Sequence, residues 1–281
     1  MGDPAPDTGP RPGPGIDDTV PQSARIWNYW LGGKDNYPVD RAAGDQFVAA
    51  YPQIVDIARH SRAFLSRAVR YLAGTVGIRQ FLDIGTGLPT VDNTHEVAQR
   101  VAPEARIVYV DSDPLVLSHA RALLTSRPEG ATSYVDADLR DPARILAEAG
   151  RILAEAGRTL DLGRPVGLML LNILGHVADY DEARAVVRHL VGALPAGSHL
   201  VVADGTDVIT GEAFRTAIEM WNQASDAPYH LRTPEQIAGF FADVEILEPG
   251  VVPVSRWRSE PGPFGEPDEV DEYCAVGVKR S

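Results

Sequence analysis

Strand-like and helix-like segments alternate along most of this chain, and that alternation is the feature that most restricts its fold. The apolar runs with strand character are Phe81–Ile84, Arg106–Val110, Ser133–Val135, Val166–Leu171, His199–Ala203, Val244–Leu247 and Tyr273–Val278. The helix-like stretches between them are Val91–Val101, Pro114–Thr125, Ala143–Gly157, Asp181–Ala193, Gly211–Ala224 and Pro234–Phe241. Alternating strands and helices form βαβ units, whose strands are mainly parallel. The pattern predicts an α/β fold with a mostly parallel sheet of seven strands, in which a closing hairpin adds one antiparallel strand.

The N-terminal part of the chain has a different composition. Residues 1 to about 20 are rich in Pro, Gly and Asp. Such a segment cannot bury enough apolar surface to offset the entropy of ordering, so we expect a disordered tail. It also lacks the apolar centre of a secretory signal peptide. Three helices are expected after it, over about Ser23–Leu31, Val39–Ala50 and Ile54–Gly74.

The charge balance limits the classes of partner. The chain has 26 basic and 39 acidic residues, for a formal net charge of -13. A surface of that sign repels nucleic-acid phosphates and anionic lipids, so we expect neither as a partner. The single cysteine, Cys274, excludes an intrachain disulfide and is expected to be buried. No apolar run is long enough to cross a membrane. These properties favour a cytoplasmic protein.

A strand that runs into a glycine turn, Phe81–Gly87 (FLDIGTG), predicts a site for a nucleotide-like cofactor. Gly85 permits a tight turn, Gly87 allows close approach of a ligand, and Thr86 lies between them. A third glycine, typical of dinucleotide sites, is replaced by Thr90. Asp83 would repel a pyrophosphate but attract the ammonium and sulfonium of S-adenosylmethionine. The alternative interpretation of Asp83 is a carboxylate that caps amides of the turn.

Acidic residues also follow the next two predicted strands. Asp111, with Ser112 beside it, suits the ribose hydroxyls of an adenosine, although NAD-binding domains place an acid similarly. Asp113 is expected to cap the helix that begins at Pro114. A third pair, Asp138 and Leu139, suits the adenine amino group and ring, although a loop acid alone is equally consistent with Asp138. In a doubly wound sheet these strand ends converge on one crevice.

The segment after the fourth predicted strand adds polar candidates near the reacting group. The residues from Asn172 to Gly175, with Asn172 and Ile173 as cofactor contacts, should flank the sulfonium and methyl, because this strand should neighbour the first. His176 is a candidate general base or substrate contact. A histidine at the start of a helix also commonly has a structural role, so both interpretations remain open.

Four segments resemble the actinobacterial S-adenosyl methyltransferase family, formerly a domain of unknown function, within the class I S-adenosylmethionine-dependent methyltransferases. They are SARIWNYWLGGKDNYPVDRAAGDQ (Ser23–Gln46), RHSRAFLSRAV (Arg59–Val69), FLDIGTGLPTVDNTHEVAQ (Phe81–Gln99) and VYVDSDPLVLSHARALL (Val108–Leu124). The resemblance implies a Rossmann-like sheet with an N-terminal helical cap, divided as tail 1–20, cap 21–58 and methyltransferase domain 59–281. It also implies that four cap residues and one residue just after the cap help to close the cofactor crevice, namely Tyr29, Gly32, Lys34, Asn36 and Arg62.

Two features depart from the family's usual pattern. The heptapeptide RILAEAG occurs twice in tandem, at Arg144–Gly150 and Arg151–Gly157, which we interpret as a tolerated surface duplication on a helix in preference to a functional device. Gly175 stands where family members commonly have a second histidine before His176.

Methyl transfer from S-adenosylmethionine to a small molecule is the leading hypothesis, with His176, Tyr29 and Tyr37 as candidate bases. A non-enzymatic module that binds the cofactor or its demethylated product is the second. An NAD(P)-dependent oxidoreductase is the third, which Asp83 and Thr90 disfavour. No metal site is predicted. Four aromatic residues near the N-terminus are expected either to line an acceptor pocket or to form the core of the cap: Trp27, Tyr29, Trp30 and Tyr37. Three others could line the other side of that pocket: Trp221, Tyr229 and Trp257.

Overall fold

The computed structural model describes residues 17–123, 126–156, 160–225, 227–261 and 265–280. Most of the predicted tail therefore lies outside the described residues. So does the end of the second RILAEAG copy, and the side chains of residues 151–156 are not described either. The first copy lies in a helix that begins at Pro142, where Ile145 and Ala149 are fully buried.

A single sheet of eight strands forms the centre of the molecule. The strands are β1 (Gln80–Ile84), β2 (Arg106–Asp111), β3 (Ala131–Asp136), β4 (Gly167–Leu171), β5 (His199–Gly205), β6 (Glu245–Ile246), β7 (Val252–Pro253) and β8 (Glu272–Val278). Their order is β3-β2-β1-β4-β5-β8-β6, and β7 also pairs with β8. The first five strands are parallel, and β8 is antiparallel to β5. The predicted α/β class with a mostly parallel sheet is confirmed, and the two-residue β7 is the strand that the sequence pattern did not predict.

Nine helices cover the sheet within the described residues. They are α1 (Ser23–Trp30), α2 (Pro38–Ala50), α3 (Ile54–Arg70), α4 (Thr94–Val101), α5 (Pro114–Leu123), α6 (Pro142–Ala156), α7 (Tyr180–Ala193), α8 (Glu212–Ala224) and α9 (Pro234–Gly239). A π-helical turn over Tyr71–Val76 extends α3. The expected cap boundary at residue 58 falls inside α3, which continues through it without a break. None of the described helices is long and apolar enough to cross a membrane.

Each face of the sheet has its own hydrophobic core. Successive side chains of a strand point to opposite faces. Phe81 accordingly belongs to a core that includes residues of α1 to α4 and α8, whereas Leu82 belongs to a core that includes residues of α6, α7 and α9. Cys274 belongs to the first core and is fully buried, as expected. Because both faces are covered, the carboxyl ends of the parallel strands are the part of the sheet left open to a ligand.

A buried ion pair joins α1 to α2. Arg25 Nε lies 2.8 Å from Asp40 Oδ2, with the two side chains 1% and 0% exposed. The Asp40 carboxylate also accepts hydrogen bonds from the backbone amides of Gln22 (3.0 Å) and Tyr37 (2.8 Å). The pair therefore sets the position of α1, whose residues Trp27 and Asn28 reach the carboxyl end of the sheet.

Candidate functional site

A cleft of about 540 Å³ lies at the carboxyl ends of β1, β2 and β4, beneath α1 and α3. Its volume is in the range of sites that enclose a small organic ligand. Twelve of the sequence-predicted site residues line it: Arg62, Asp83, Gly85, Thr86, Gly87, Asp111, Ser112, Asp138, Leu139, Asn172, Ile173 and His176. The convergence expected for strand ends in a doubly wound sheet is therefore present.

The cap residues that the family resemblance implied are placed differently. The Tyr29 hydroxyl donates to Asp45 Oδ1 at 2.8 Å, along the side of α2. The Asn36 amide donates to Asn28 Oδ1 and to the Gly33 carbonyl, both at 3.0 Å. Asn28, unlike either predicted residue, lines the cleft. The structure therefore does not bring Tyr29 or Asn36 into the cleft, and three further cap residues also lie outside its described lining: Gly32, Lys34 and Tyr37.

The glycine turn after β1 has the backbone geometry that the sequence pattern predicts. Gly85 and Gly87 have φ values of 75° and 63°, in the left-handed region where a side chain is disfavoured. A Cβ on Gly85 would lie 2.6 Å from the Ile173 side chain. The Gly87 amide donates to Asp111 Oδ2 at 3.1 Å. The turn thus packs directly against β2 and against the segment after β4.

Asp83 is a buried carboxyl group at the end of β1, with 6% of its surface exposed. Thr94 Oγ1 donates to its Oδ2 at 2.6 Å, and within the described residues no amide of the turn does so. Burial raises the pKa of Asp83 to about 6, while Thr94 and the Arg62 guanidinium act against that rise. A cationic ligand would complete the stabilisation of its charged form.

Arg62 projects from α3 into the same end of the cleft. Burial lowers its pKa, and the nearby Asp83 carboxylate raises it in partial compensation. Among the described residues the guanidinium makes neither a hydrogen bond nor an ion pair within 4 Å, although it lines the cleft. A half-buried guanidinium beside a buried carboxyl group suits a ligand that carries both a carboxylate and an ammonium.

The acids after β2 and β3 differ in burial. Burial raises the pKa of Asp111, whose carboxylate accepts hydrogen bonds from the amides of Gly87 and Asp113 (2.9 Å). Asp113 accepts from the Leu115 amide at 2.8 Å, which confirms the predicted helix cap. Asp138 is exposed at the rim and pairs with Arg140 at 3.4 Å, whereas Leu139 is buried beneath it.

Asn172 joins the cleft to a buried polar network that the sequence did not indicate. Its backbone has a φ of 54°, in the left-handed region that asparagine adopts more readily than most residues. The amide donates to Ser61 Oγ at 3.0 Å and to Glu272 Oε1 at 2.9 Å, and its oxygen accepts from the Tyr229 hydroxyl at 3.4 Å. The single hydroxyl proton of Tyr229 is shared with Asp204, whose carboxylate is the nearer acceptor. The only sequence signal for this network is that Asp204 and Glu272 are acids at the ends of otherwise apolar strands.

Glu272→Gln should change the pH dependence of stability. Burial raises the pKa of Glu272 from 4.5 to about 8, so the folded protein favours its protonated form. That contribution is complete below about pH 4.5 and is lost as the pH rises through about 8. Glutamine keeps an oxygen for Ser61 and Asn172 but cannot ionise. We expect the variant to be more stable than wild type at pH 8.5, with each pKa unit worth about 1.4 kcal/mol.

Urea denaturation at pH 5 and pH 8.5 measures this difference. Glu269→Gln is the control, because Glu269 is half exposed and pairs with Arg256 at 3.7 Å. If the difference in free energy of unfolding between Glu272→Gln and wild type is the same at both pH values, the raised pKa of Glu272 is contradicted.

His176 ends a 3₁₀ turn, Leu174–His176, that follows β4. Its Nδ1 lies 2.9 Å from the carbonyl oxygen of Pro228, which can only accept a hydrogen bond. Nδ1 therefore carries the proton, and the lone pair of the neutral ring is on Nε2. Burial lowers the pKa of His176, so the neutral ring predominates near pH 7. The residue can accept a proton at Nε2. The described residues contain no group of three or more potential metal ligands.

Comparison with known proteins identifies the family. The family model for S-adenosyl methyltransferases matches residues 11–280. A DUF574-family protein from Streptomyces avermitilis is 43% identical, with 94% of this chain and 99% of that chain covered and a TM-score of 0.86. A Thermobifida fusca protein named as a methyltransferase is 38% identical, with coverage of 95% and 98% and a TM-score of 0.81.

More distant similarity is limited to the fold. The plantazolicin methyltransferase BpumL is 12% identical, with 92% of this chain and 96% of that chain covered and a TM-score of 0.51. No curated protein matches the sequence at a significant level. The match over nearly the whole chain decides among the three functional hypotheses. The chain belongs to the S-adenosyl methyltransferase family and is an enzyme that uses S-adenosylmethionine as its methyl donor.

Proposed function

We propose that this enzyme transfers a methyl group directly to a small-molecule acceptor, and that the donor lies across the carboxyl ends of β1, β2 and β4. One observation carries the proposal. One cleft contains Arg62 and Asp83, which carry opposite charges, at one end, and it also contains Asp111 at the end of the neighbouring strand β2. That order of groups matches the amino-acid part and the ribose of S-adenosylmethionine.

Each lining residue has a proposed role toward the cofactor. Arg62 binds the carboxylate, and Asp83 and Asn172 favour the ammonium and sulfonium. Asp111 accepts the ribose hydroxyls. The glycine turn contributes Gly85, Thr86 and Gly87 to the remaining contacts with the cofactor. The segments after β2, β3 and β4 contribute the others: Ser112, Asp138, Leu139 and Ile173. Asn36 contributes indirectly, since it orients Asn28.

The chain's own residues then supply orientation and a proton acceptor. The bound cofactor supplies a methyl group on a sulfonium, whose carbon–sulfur electron pair stays with sulfur on transfer. The cleft aligns the acceptor with that methyl group, which converts an encounter between two molecules into a positioned reaction. His176 Nε2 takes the proton of an acceptor hydroxyl or amine, because Pro228 holds the other ring nitrogen protonated.

The partner and location also belong to this proposal. The net charge of -13 favours a small acceptor over a nucleic acid or an anionic membrane. The buried free thiol of Cys274 is consistent with a reducing compartment, and we propose that the enzyme is cytoplasmic.

Isothermal titration with S-adenosylhomocysteine tests the site through Arg62→Gln. A charge-assisted hydrogen bond is worth about 1.5–3 kcal/mol, so we expect the affinity to fall roughly 10- to 150-fold. Arg59→Gln is the matched control on the same helix, because Arg59 is 68% exposed and pairs with Asp56. An Arg62→Gln affinity within twofold of wild type would contradict the assignment. If NADH binds to the protein and S-adenosylmethionine does not, the proposed site as a whole is wrong.

A further inference from the structure

A second pocket, of about 60 Å³, opens beside the cleft. Its lining shares Ser23, Trp27, Asn172 and His176 with the cleft, so the two cavities meet at these residues. A site that encloses a drug-sized ligand has roughly 300–1,000 Å³. The second pocket therefore encloses only a compact group, and it lies next to the proposed proton acceptor.

Aromatic rings from α1, α2 and α8 form the wall of this pocket. Trp27 contacts Trp30 edge-on with 5.6 Å between ring centroids, Trp30 lies 5.4 Å from Phe47, and Phe47 lies 6.2 Å from Trp221. The indole N–H groups of Trp30 and Trp221 donate to the carbonyls of Gly44 and Ala227. These N–H groups are thus already hydrogen-bonded, and the wall offers a ligand mainly ring faces and edges.

Polar atoms are concentrated where the pocket meets the cleft. Asn172 and His176 line both cavities, and Tyr229 lines the pocket. The His176 and Tyr229 rings are edge-to-face with centroids 5.2 Å apart. The absence of a side chain at Gly175 makes this possible, because a Cβ there would lie 2.5 Å from the Tyr229 ring. A ligand with an apolar body and one polar group would direct that group toward His176.

The charges around the pocket exclude one class of ligand. Its described lining contains no Arg or Lys, and its acidic member is Asp271. The Asp271 carboxylate already accepts hydrogen bonds from Tyr51, from Thr210 and from the amide of Ile209. Asp204 and Glu272 lie behind Tyr229 and Asn172. An anionic group would lose its hydration here without gaining a cation as partner.

We propose that this pocket is the acceptor subsite and that the acceptor is an uncharged, single-ring aromatic molecule with a hydroxyl or amino group. This inference rests on the proposed function. The reacting oxygen or nitrogen lies at the junction near Asn172 and His176. Its lone pair forms the new bond to the methyl carbon, the carbon–sulfur pair remains on sulfur, and the displaced proton passes to His176 Nε2. The aromatic wall selects the ring, which extends in part into the cleft because a cavity that encloses benzene alone has about 150 Å³. The lack of a cation rejects carboxylates and phosphates.

Saturation-transfer NMR with phenol, aniline and benzoate tests the inference, each probe being added with saturating S-adenosylhomocysteine. We expect phenol or aniline to give at least fivefold more transfer than benzoate. Ile218→Trp should fill the pocket and reduce that transfer at least fivefold. Trp221→Leu, which removes one ring of the wall, should reduce it at least threefold. Neither residue lines the cleft. Met220→Trp is the control on the same helix, since Met220 is 51% exposed and outside the lining, and it should leave the transfer unchanged.

The outcomes separate the two levels of the proposal. Calorimetry with S-adenosylhomocysteine is run first on every variant, and affinities within twofold of wild type show that the cleft is intact. If the cofactor product binds but benzoate matches phenol and aniline, or both pocket variants keep the wild-type transfer, the acceptor subsite is wrong. If the wild-type enzyme does not bind S-adenosylhomocysteine at all, the proposed function fails and the subsite fails with it.

Discussion

His176→Asn should lower the rate of methyl transfer by about 10²- to 10⁴-fold, the usual contribution of a positioned general base. The asparagine amide can still donate to the Pro228 carbonyl, as Nδ1 of His176 does at 2.9 Å. It has no basic nitrogen in place of Nε2, so the local structure is kept while the proton acceptor is removed. Transfer of a radiolabelled methyl group to compounds in a cell extract measures the rate.

The pH profile distinguishes a base from a structural histidine. Burial lowers the pKa of His176, so the wild-type rate should rise with pH as the ring loses its proton, and the midpoint of that rise should lie below the ordinary pKa of 6.5. The variant should lose this acid limb. His189→Asn is the control, because His189 is exposed on α7. A His176→Asn enzyme with more than half the wild-type rate and an unchanged acid limb would show that the acceptor needs no base from this residue.

Asp40→Ala should destabilise the folded protein by about 3–5 kcal/mol, because it leaves one member of a buried ion pair uncompensated. Arg25 is 1% exposed and would keep its charge without the carboxylate at 2.8 Å. The amides of Gln22 and Tyr37 would also lose their acceptor. The free energy of unfolding from urea denaturation measures the effect.

Asp56→Ala is the matched control for this prediction. Asp56 pairs with Arg59 at 3.5 Å on the surface of α3, and the two side chains are 59% and 68% exposed. Pairs of this kind contribute about 0–1 kcal/mol. A loss below about 1 kcal/mol for Asp40→Ala would mean that water enters to solvate Arg25, and the role of the pair in positioning α1 would have to be abandoned.

The local features of the site were predictable because they depend on short segments of chain. Asp83, Gly85 and Asp111 each follow an apolar run, and parallel strands bring such ends to one edge of the sheet. Gly85 needs a positive φ, which glycine adopts most readily. The cap of α5 by Asp113 has the same local origin, since donor and acceptor are two residues apart. The weak strand β7, with two residues, left no pattern to detect.

The cap residues show where prediction from short segments ends. Asn28 and Tyr29 are neighbours on α1, yet Asn28 lines the cleft while Tyr29 reaches Asp45 on α2. Successive residues of a helix are turned by about 100°, so the docking angle of α1 decides which of them faces the ligand. One of the contacts that hold α1 against α2 is the buried pair between Arg25 and Asp40, which the sequence pattern did not single out.

By itself, the sequence determined the order of strands and helices, the glycine turn and the acids at the strand ends, because backbone preference and apolar periodicity act over a few residues. Tertiary structure alone decided the surroundings of the reacting group. Three side chains lie within hydrogen-bond distance of one another: Ser61 from α3, Asn172 from the end of β4 and Glu272 from β8. Their contact requires three elements far apart in the chain to pack at one edge of the sheet. The same packing places an aromatic pocket beside His176, whereas the sequence left open whether these aromatic residues line a pocket or form the core of the cap.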